Sequence, residues 1–242
     1  MAQNVYDRPE FFDGYSRLRR SVEGLDGAPE WPVLRAMLPD IAGLRVADLG
    51  CGYGWFSRWA AEQGAAQVTA IDVSERMLAR AREMGGDGRI DYRRGDLETL
   101  ALPRGGFDLV YSSLAFHYVE DASRLYGMIA DALAPGGRLV FSTEHPVYMG
   151  SARPGWIVAE DGRRTWPVDG YFREGERVSD WLSPGVVKHH RTIGTTFSAL
   201  TGSGFTVERL VEFCPTPEQI ARDPGLAEEI ERPMFLLVSA RR

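Results

Sequence analysis

A short apolar run followed by three alternating glycines constrains this chain more than any other feature. Residues 44–49 are apolar enough for a buried strand, and glycines stand at every second position of residues 50–54. Glycine has no Cβ, so the backbone can turn sharply there and approach a ligand closely. Apolar residues then recur at helical spacing over residues 55–63. A strand, a glycine turn and a helix N-terminus together are typical of a nucleotide-type site.

The spacing of the glycines separates two kinds of ligand. A dinucleotide fingerprint has the pattern G-x-G-x-x-G, and counting from Gly50 its third glycine would fall on Trp55. An indole at that position argues against a pyrophosphate over the turn. The pattern here is D-x-G-x-G-x-G from Asp48, and a second acid, Asp72, ends the next predicted strand. That acid suits a ribose diol. The alternative is a tight turn that binds nothing.

Strands and helices alternate along the chain, which predicts a mainly parallel sheet with helices on both faces. We predict strands over residues 44–49, 67–71, 90–95, 107–112, 137–143, 205–213 and 234–240, and helices over 29–38, 55–63, 74–84, 121–133, 192–202 and 218–230. In such a sheet the ligand crevice lies beyond the carboxyl ends of the strands. Asp48, Asp72 and Asp96 each stand at such an end. We therefore expect these three carboxylates to face one crevice.

At these residues the chain resembles the class I S-adenosylmethionine-dependent methyltransferases, small-molecule branch. The resemblance rests on specific motifs over about residues 40–145 and on element order elsewhere. It implies an α/β fold with a Rossmann-like, seven-stranded, mostly parallel sheet of order 3-2-1-4-5-7-6, whose last strand is antiparallel. It also implies S-adenosyl-L-methionine as the cofactor, and methyl transfer by in-line displacement to an oxygen or nitrogen of a small molecule.

The same resemblance assigns roles to positions of this sequence. Asp96 would accept a hydrogen bond from the adenine amino group, the Leu97 amide would contact the ring, and Asp72 would hold the ribose hydroxyls. The positions implied for the cofactor are Tyr15, Asp48, Gly50, Cys51, Gly52, Gly54, Asp72, Val73, Met77, Asp96, Leu97, Ser112, Ser113 and His117.

Histidines supply the candidate bases, since an oxygen or protonated amine acceptor must lose a proton. His117 follows the fourth predicted strand, whereas His145 and His190 stand near the two ends of a segment that must return to the crevice. We predict His117, His145 and His190 as catalytic residues. Catalysis by proximity alone is the alternative.

We predict a single methyltransferase domain over residues 1–242 with two additions. Residues 1–40 are too rich in aromatic side chains for a free tail, so we expect them to be packed. The resemblance implies an N-terminal helical cap over the cofactor, and a simple cover for the sheet is the alternative. Residues 144–192 break the alternation and are also aromatic, which predicts an ordered insertion with short antiparallel strands at 156–159 and 177–181. The resemblance implies that this insertion is the substrate lid. The lid offers stacking area to a substrate through Trp156, Trp166, Tyr171 and Trp181.

Composition limits the kinds of molecule that this chain is expected to bind. A formal net charge of -6 argues against a nucleic acid, because a phosphate backbone usually binds a basic face. No stretch reaches about 18 consecutive apolar residues, so no membrane partner is expected. Cys51 and Cys214 provide neither a disulfide framework nor metal spacing. We expect a cytoplasmic monomer or homodimer that holds no metal and acts on a small-molecule methyl acceptor.

Two other functions stay open at this point. One is a regulatory module that binds S-adenosylmethionine without catalysis, in which the inserted segment would collapse onto the sheet. The other is a nicotinamide-dependent dehydrogenase, which Trp55 disfavours.

Overall fold

A seven-stranded sheet forms the centre of the computed structural model, which describes residues 3–151 and 154–242. Its strands are β1 (Arg45–Leu49), β2 (Gln67–Asp72), β3 (Ile90–Arg94), β4 (Phe107–Ser113), β5 (Leu133–Glu144), β6 (Thr206–Glu212) and β7 (Phe235–Arg241). Their order across the sheet is β6-β7-β5-β4-β1-β2-β3, and β7 is antiparallel to both of its neighbours. The predicted fold class and strand order are confirmed.

Helices lie on both faces of this sheet. The helices in the described ranges are α1 (Pro9–Ser16), α2 (Arg19–Val22), α3 (Trp31–Arg35), α4 (Trp55–Glu62), α5 (Glu75–Glu83), α6 (Ala122–Ala132), α7 (Pro146–Met149), α8 (Ile193–Gly202) and α9 (Pro217–Arg222). Within the described ranges, no helix is long and apolar enough to cross a bilayer. Neighbouring positions of β1 show the two faces, because Val46 packs with α3 and α4 whereas Ala47 packs with α6 and α8.

Aromatic stacking fixes α4 against the sheet. The rings of Phe56 on α4 and Tyr111 on β4 are stacked with their centroids 3.6 Å apart, and both side chains are buried. Trp31 of α3 meets both rings edge-on. Because α4 follows the glycine turn directly, this cluster also fixes where the turn lies.

Two predicted helices are shorter than expected. The helix predicted over residues 29–38 is α3 alone, because its C-terminal turn tightens to bonds between residues three apart, such as Met37 N–H to the Leu34 carbonyl. The helix predicted over 218–230 divides into α9 and a 3-10 segment, Pro224–Ile230. Pro224 lacks the N–H needed to continue α9.

The segment between β5 and α8 contains two hairpins of short antiparallel strands, as predicted for part of it. Ile157–Val158 pairs with Arg164–Thr165, and Gly175–Ser179 pairs with Val186–His190. The last of these strands was not predicted. Its inward-facing positions include Lys188 and His190, which hide the apolar alternation that normally marks a strand.

The Phe56 ring gives a direct test of this core. Phe56→Ala should cost about 3–5 kcal/mol because it leaves a cavity between α4 and β4. For a chain of this size the melting temperature should fall by roughly 6–20 °C. Calorimetric scans should show almost no change for Phe172→Ala, whose ring is 89% exposed. Equal melting temperatures for the two variants would contradict this account of the core.

Candidate active site

A cavity of about 1050 Å³ opens beyond the carboxyl ends of β1, β2, β4 and β5. Its lining includes the last residues of three of these strands, Asp72, Ser113 and Glu144, together with Asp48 and Asp96. The structure thus brings the three strand-end carboxylates to one crevice, where an open parallel sheet normally binds its ligand.

The glycine turn faces this cavity with its backbone. Gly50, Gly52 and Gly54 all have positive φ angles, between 54° and 75°. A Cβ on Gly50 would lie 2.4 Å from the Ala115 Cβ, and one on Gly54 would lie 2.4 Å from the Tyr92 hydroxyl oxygen. A Cβ on Gly52 would meet nothing within 4 Å. Packing therefore explains two of the glycines, whereas Gly52 lines the cavity and leaves space in front of the backbone.

The Asp72 carboxylate connects the turn to the end of β2. Its Oδ2 accepts from the Gly52 N–H at 2.8 Å, and its Oδ1 accepts from the Ser74 N–H at 2.9 Å. Burial raises the pKa of Asp72 to about 6 in spite of these bonds. Burial also raises the pKa of Asp48 to about 7, although the Ser57 hydroxyl donates to it at 2.6 Å.

Residues near the N-terminus form one wall of the cavity. Tyr15 and Arg20 line it, and the Arg20 guanidinium lies 3.1 Å from Oε1 of Glu30, which is fully buried. The Asp7 carboxylate accepts from the Ser74 hydroxyl at 2.6 Å. This bond fixes the N-terminal segment to the start of α5. Sequence reasoning did not single out Arg20, which stands among other arginines of the first helices.

His117 also lines the cavity, next to a buried ion pair. Its Nδ1 accepts from the Glu144 backbone N–H at 3.3 Å, and its Nε2 lies 3.9 Å from Oε1 of the same residue. Burial, and then the charges of Lys188 and Arg191, hold the pKa of His117 well below its usual value of 6.5. The imidazole is therefore neutral, and because Nδ1 accepts, Nε2 carries the proton.

The other two predicted bases lie outside the cavity lining. His145 caps α7, since its Nδ1 accepts from the Val147 N–H at 3.0 Å, and its Nε2 lies 2.9 Å from Oε1 of Glu212. His190 Nε2 lies 2.8 Å from the Tyr171 carbonyl oxygen. We therefore revise the prediction of three bases. His145 and His190 do not line the cavity, and His117, which does, has its Nδ1 lone pair occupied by the Glu144 N–H.

Most of the positions implied for the cofactor share this cavity. Those that line it are Tyr15, Asp48, Gly50, Cys51, Gly52, Asp72, Val73, Met77, Asp96, Leu97, Ser113 and His117. Gly54 and Ser112 do not. Gly54 faces Tyr92, and the Ser112 hydroxyl donates to the Leu49 carbonyl at 2.7 Å inside the sheet. The described residues include no group of three His, Cys, Asp or Glu side chains arranged to hold a metal ion.

The aromatic residues of the inserted segment differ in their placement. Trp181 lines the cavity, whereas Trp156, Trp166 and Tyr171 do not. Trp156 and Trp166 instead pack against the Arg232 guanidinium, whose carbon lies 5.5 Å and 4.5 Å from their ring centroids. The expectation that all four rings offer stacking area is therefore wrong for three of them. Two of those rings attach the segment to the C-terminal part of the chain.

Comparisons with known proteins agree with this geometry. Residues 47–141 match the sequence model of the methyltransferase domain family. The chain is similar to an S-adenosylmethionine-dependent methyltransferase from Mesorhizobium loti, with 63% identity and a TM-score of 0.87, over 90% of this chain and 100% of that one. It is 36% identical over 132 residues to a malonyl-[acyl-carrier protein] O-methyltransferase from Pectobacterium atrosepticum, covering 54% of this chain and 51% of that enzyme. It is 40% identical over 107 residues to a ubiquinone biosynthesis O-methyltransferase from Xanthomonas oryzae pv. oryzae, covering 43% and 44%. The chain thus matches about half of each curated O-methyltransferase.

The raised pKa of Asp48 predicts a pH-dependent stability. A carboxyl pKa raised from 3.8 to about 7 contributes stability that is present at low pH and lost as the pH rises through about 7. Between pH 5 and pH 8 the parent protein loses about two pKa units of this linkage, or about 2.7 kcal/mol. Asparagine cannot ionise, so the melting temperature of Asp48→Asn should rise relative to that of the parent protein by roughly 5–10 °C from pH 5 to pH 8. Asp13→Asn, at an exposed carboxylate, is the control. The same difference from the parent at both pH values would show that Asp48 does not titrate in this range.

Proposed function

This chain belongs to the class I S-adenosylmethionine-dependent methyltransferases, and we propose that it methylates an oxygen or a nitrogen of a small molecule by in-line displacement. S-Adenosyl-L-methionine is its cofactor, which when bound supplies a methyl group already activated by the positive sulfur. The observation that carries the proposal is the cavity itself. Its volume of about 1050 Å³ lies at the upper end of small-molecule pockets, which span roughly 300–1,000 Å³, so a cofactor and a small acceptor can share it.

We assign the cofactor to the wall made by the glycine turn and the strand-end acids. The open space at Gly52 admits a ligand close to the backbone, which a side chain there would prevent. Asp72 has lone pairs beyond those used by the two backbone amides, so it can also accept from ribose hydroxyls. Asp96 and Leu97 are assigned to the adenine edge, and Val73 and Met77 to its faces.

The acceptor is assigned to the rest of the cavity, between the N-terminal cap of residues 1–40 and the inserted lid of residues 144–192. Rings of Tyr6, Tyr118 and Trp181 line this part with a few polar groups, the usual composition of a small-molecule pocket. The net charge of -6 favours a small molecule over a nucleic acid. The names of the two partial relatives favour oxygen as the accepting atom.

His117 is assigned to the acceptor as a hydrogen-bond donor. Its Nδ1 is occupied by the Glu144 N–H, and its Nε2 carries a proton, so the neutral ring has no free lone pair for a general base to use. The residue orients the acceptor.

A regulatory role without catalysis is the second candidate. In a protein with that role, the inserted segment would be collapsed onto the sheet. The cavity lined by Trp181 argues against such a collapse. Incubation of the protein with methyl-labelled cofactor and representative phenols, amines and carboxylic acids separates the two. Label transfer to one of these classes supports the proposed enzyme, and tight cofactor binding without any transfer supports the regulatory role.

Gly52 provides a matched test of the cofactor site. Gly52→Ala and Gly85→Ala both place a Cβ in open space on a residue with positive φ, so each should lose roughly 1 kcal/mol of stability. Only Gly52 lines the cavity. Calorimetric titration with S-adenosylhomocysteine should show at least about tenfold weaker binding for Gly52→Ala and parental binding for Gly85→Ala. Unchanged affinity in folded Gly52→Ala would move the cofactor away from this turn.

A further inference from the structure

A buried ion pair joins Glu144, which lines the cavity, to Lys188. Glu144 is the last residue of β5, and Lys188 is the middle residue of the strand Val186–His190. The Lys188 ammonium donates to Oε1 of Glu144, and the two side chains are only 5% and 12% exposed. Apolar side chains of similar size commonly stabilise a fold as well as a buried ion pair does. Packing alone therefore gives little reason for charges at this place.

One oxygen of this pair has no hydrogen-bond partner among the described residues. Glu144 Oε2 is buried and accepts no hydrogen bond from any residue within 3–151 or 154–242. Buried carboxylate oxygens normally have donors. Glu144 lines the cavity, so a turn of its carboxyl group would bring Oε2 to a donor on a molecule bound there.

The surroundings of the pair define the shape of that molecule. Lys188 Nζ lies 4.9 Å from the Trp181 ring centroid and 6.0 Å from that of Tyr118. The Tyr6 hydroxyl lies 3.2 Å from the Tyr118 hydroxyl, and the two rings meet edge-on. Tyr6, Tyr118 and Trp181 all line the cavity. Ring faces and edges next to one carboxylate oxygen suit a flat aromatic ligand that carries a donor.

Charge decides the kind of donor. The lysine neutralises the carboxylate, and the adjacent His117 is uncharged, so this part of the wall has no excess negative charge to attract a cation. A neutral hydroxyl satisfies Oε2 without bringing a further charge into a buried place.

We infer that Glu144, held in place by Lys188, binds the hydroxyl hydrogen of an aromatic acceptor, so that the substrate class is a ring-bearing alcohol of the phenol type. This inference rests on the proposed function, since it places the acceptor in the same cavity as the cofactor. Glu144 is the recognition residue, and Lys188 is a positioning residue.

The test compares two probes that differ by one donor, 2-naphthol and 2-methoxynaphthalene. Each is titrated into the full-length protein saturated with S-adenosylhomocysteine, and binding is followed by saturation-transfer NMR. The parent protein should bind 2-naphthol about tenfold more tightly, the loss expected for one charge-assisted hydrogen bond. Equal affinities for the two probes in the parent protein overturn the inference without any variant.

Variants then test whether Glu144 is the group that accepts the hydrogen bond from the 2-naphthol hydroxyl. The double variant Glu144→Met with Lys188→Met removes both charges and leaves neither buried alone. It should bind both probes equally while keeping parental affinity for S-adenosylhomocysteine. Glu212→Gln is the matched control, because Glu212 also ends a strand and pairs with a histidine but lies outside the cavity lining. It should keep the preference for 2-naphthol.

The outcomes are distinct. A double variant that retains the preference for 2-naphthol shows that the ion pair is structural only, and the inference falls. A parent protein that does not bind S-adenosylhomocysteine overturns the proposed function instead. Glu144→Gln alone, which keeps an oxygen acceptor beside Lys188, should show an intermediate preference, and an unchanged preference in that variant counts against the role of the charge.

Discussion

The carboxylate of Asp72 holds the cofactor side of the molecule together. Two backbone amides donate to it, one from the glycine turn after β1 and one from the residue that caps α5. The turn, the end of β2 and the start of α5 therefore share one anchor, and the N-terminal segment joins it through Asp7 and Ser74. Burial works against the charge of this anchor, as the raised pKa of Asp72 shows. A bound ligand with hydroxyl donors or positive charge would stabilise the ionised carboxylate and so offset the cost of burying it.

The wall assigned to the cofactor could be located from the sequence because the residues that form it follow local rules. A strand, a glycine turn and a strand-end acid are close together in sequence. A parallel sheet then brings the carboxyl ends of β1 and β2 to the same edge, independently of the residues that follow them. The placement of Asp48 and Asp72 at one crevice follows from these rules alone. Gly54 and Ser112 were also assigned to the cofactor by their position in the same motifs. They serve the packing of the turn and the sheet instead, a distinction that depends on Tyr92 and Leu49 in three dimensions.

The acceptor side was not predictable in the same way. Glu144 and Lys188 are 44 residues apart and meet only because a hairpin folds back over the end of β5. The strand that carries Lys188 has polar residues at inward-facing positions, so its pattern does not indicate a strand. The histidines at the ends of the insertion do return to the body of the protein. Three of their four ring nitrogens bind backbone or carboxylate groups, and neither histidine lines the cavity.

The pairing of the strands Gly175–Ser179 and Val186–His190 links backbone geometry to chemical selectivity. Along the second strand, Val186, Lys188 and His190 are buried and the residues between them are less so. A shift of one residue in this pairing would turn Val187 and His189 inward and carry the lysine charge out to solvent. The length of the turn between the two strands thus determines which charge reaches the end of β5. Under the role proposed for Glu144, relatives that differ only in this turn would acquire a different range of acceptors, while the wall assigned to the cofactor, which is built from other elements, would stay the same.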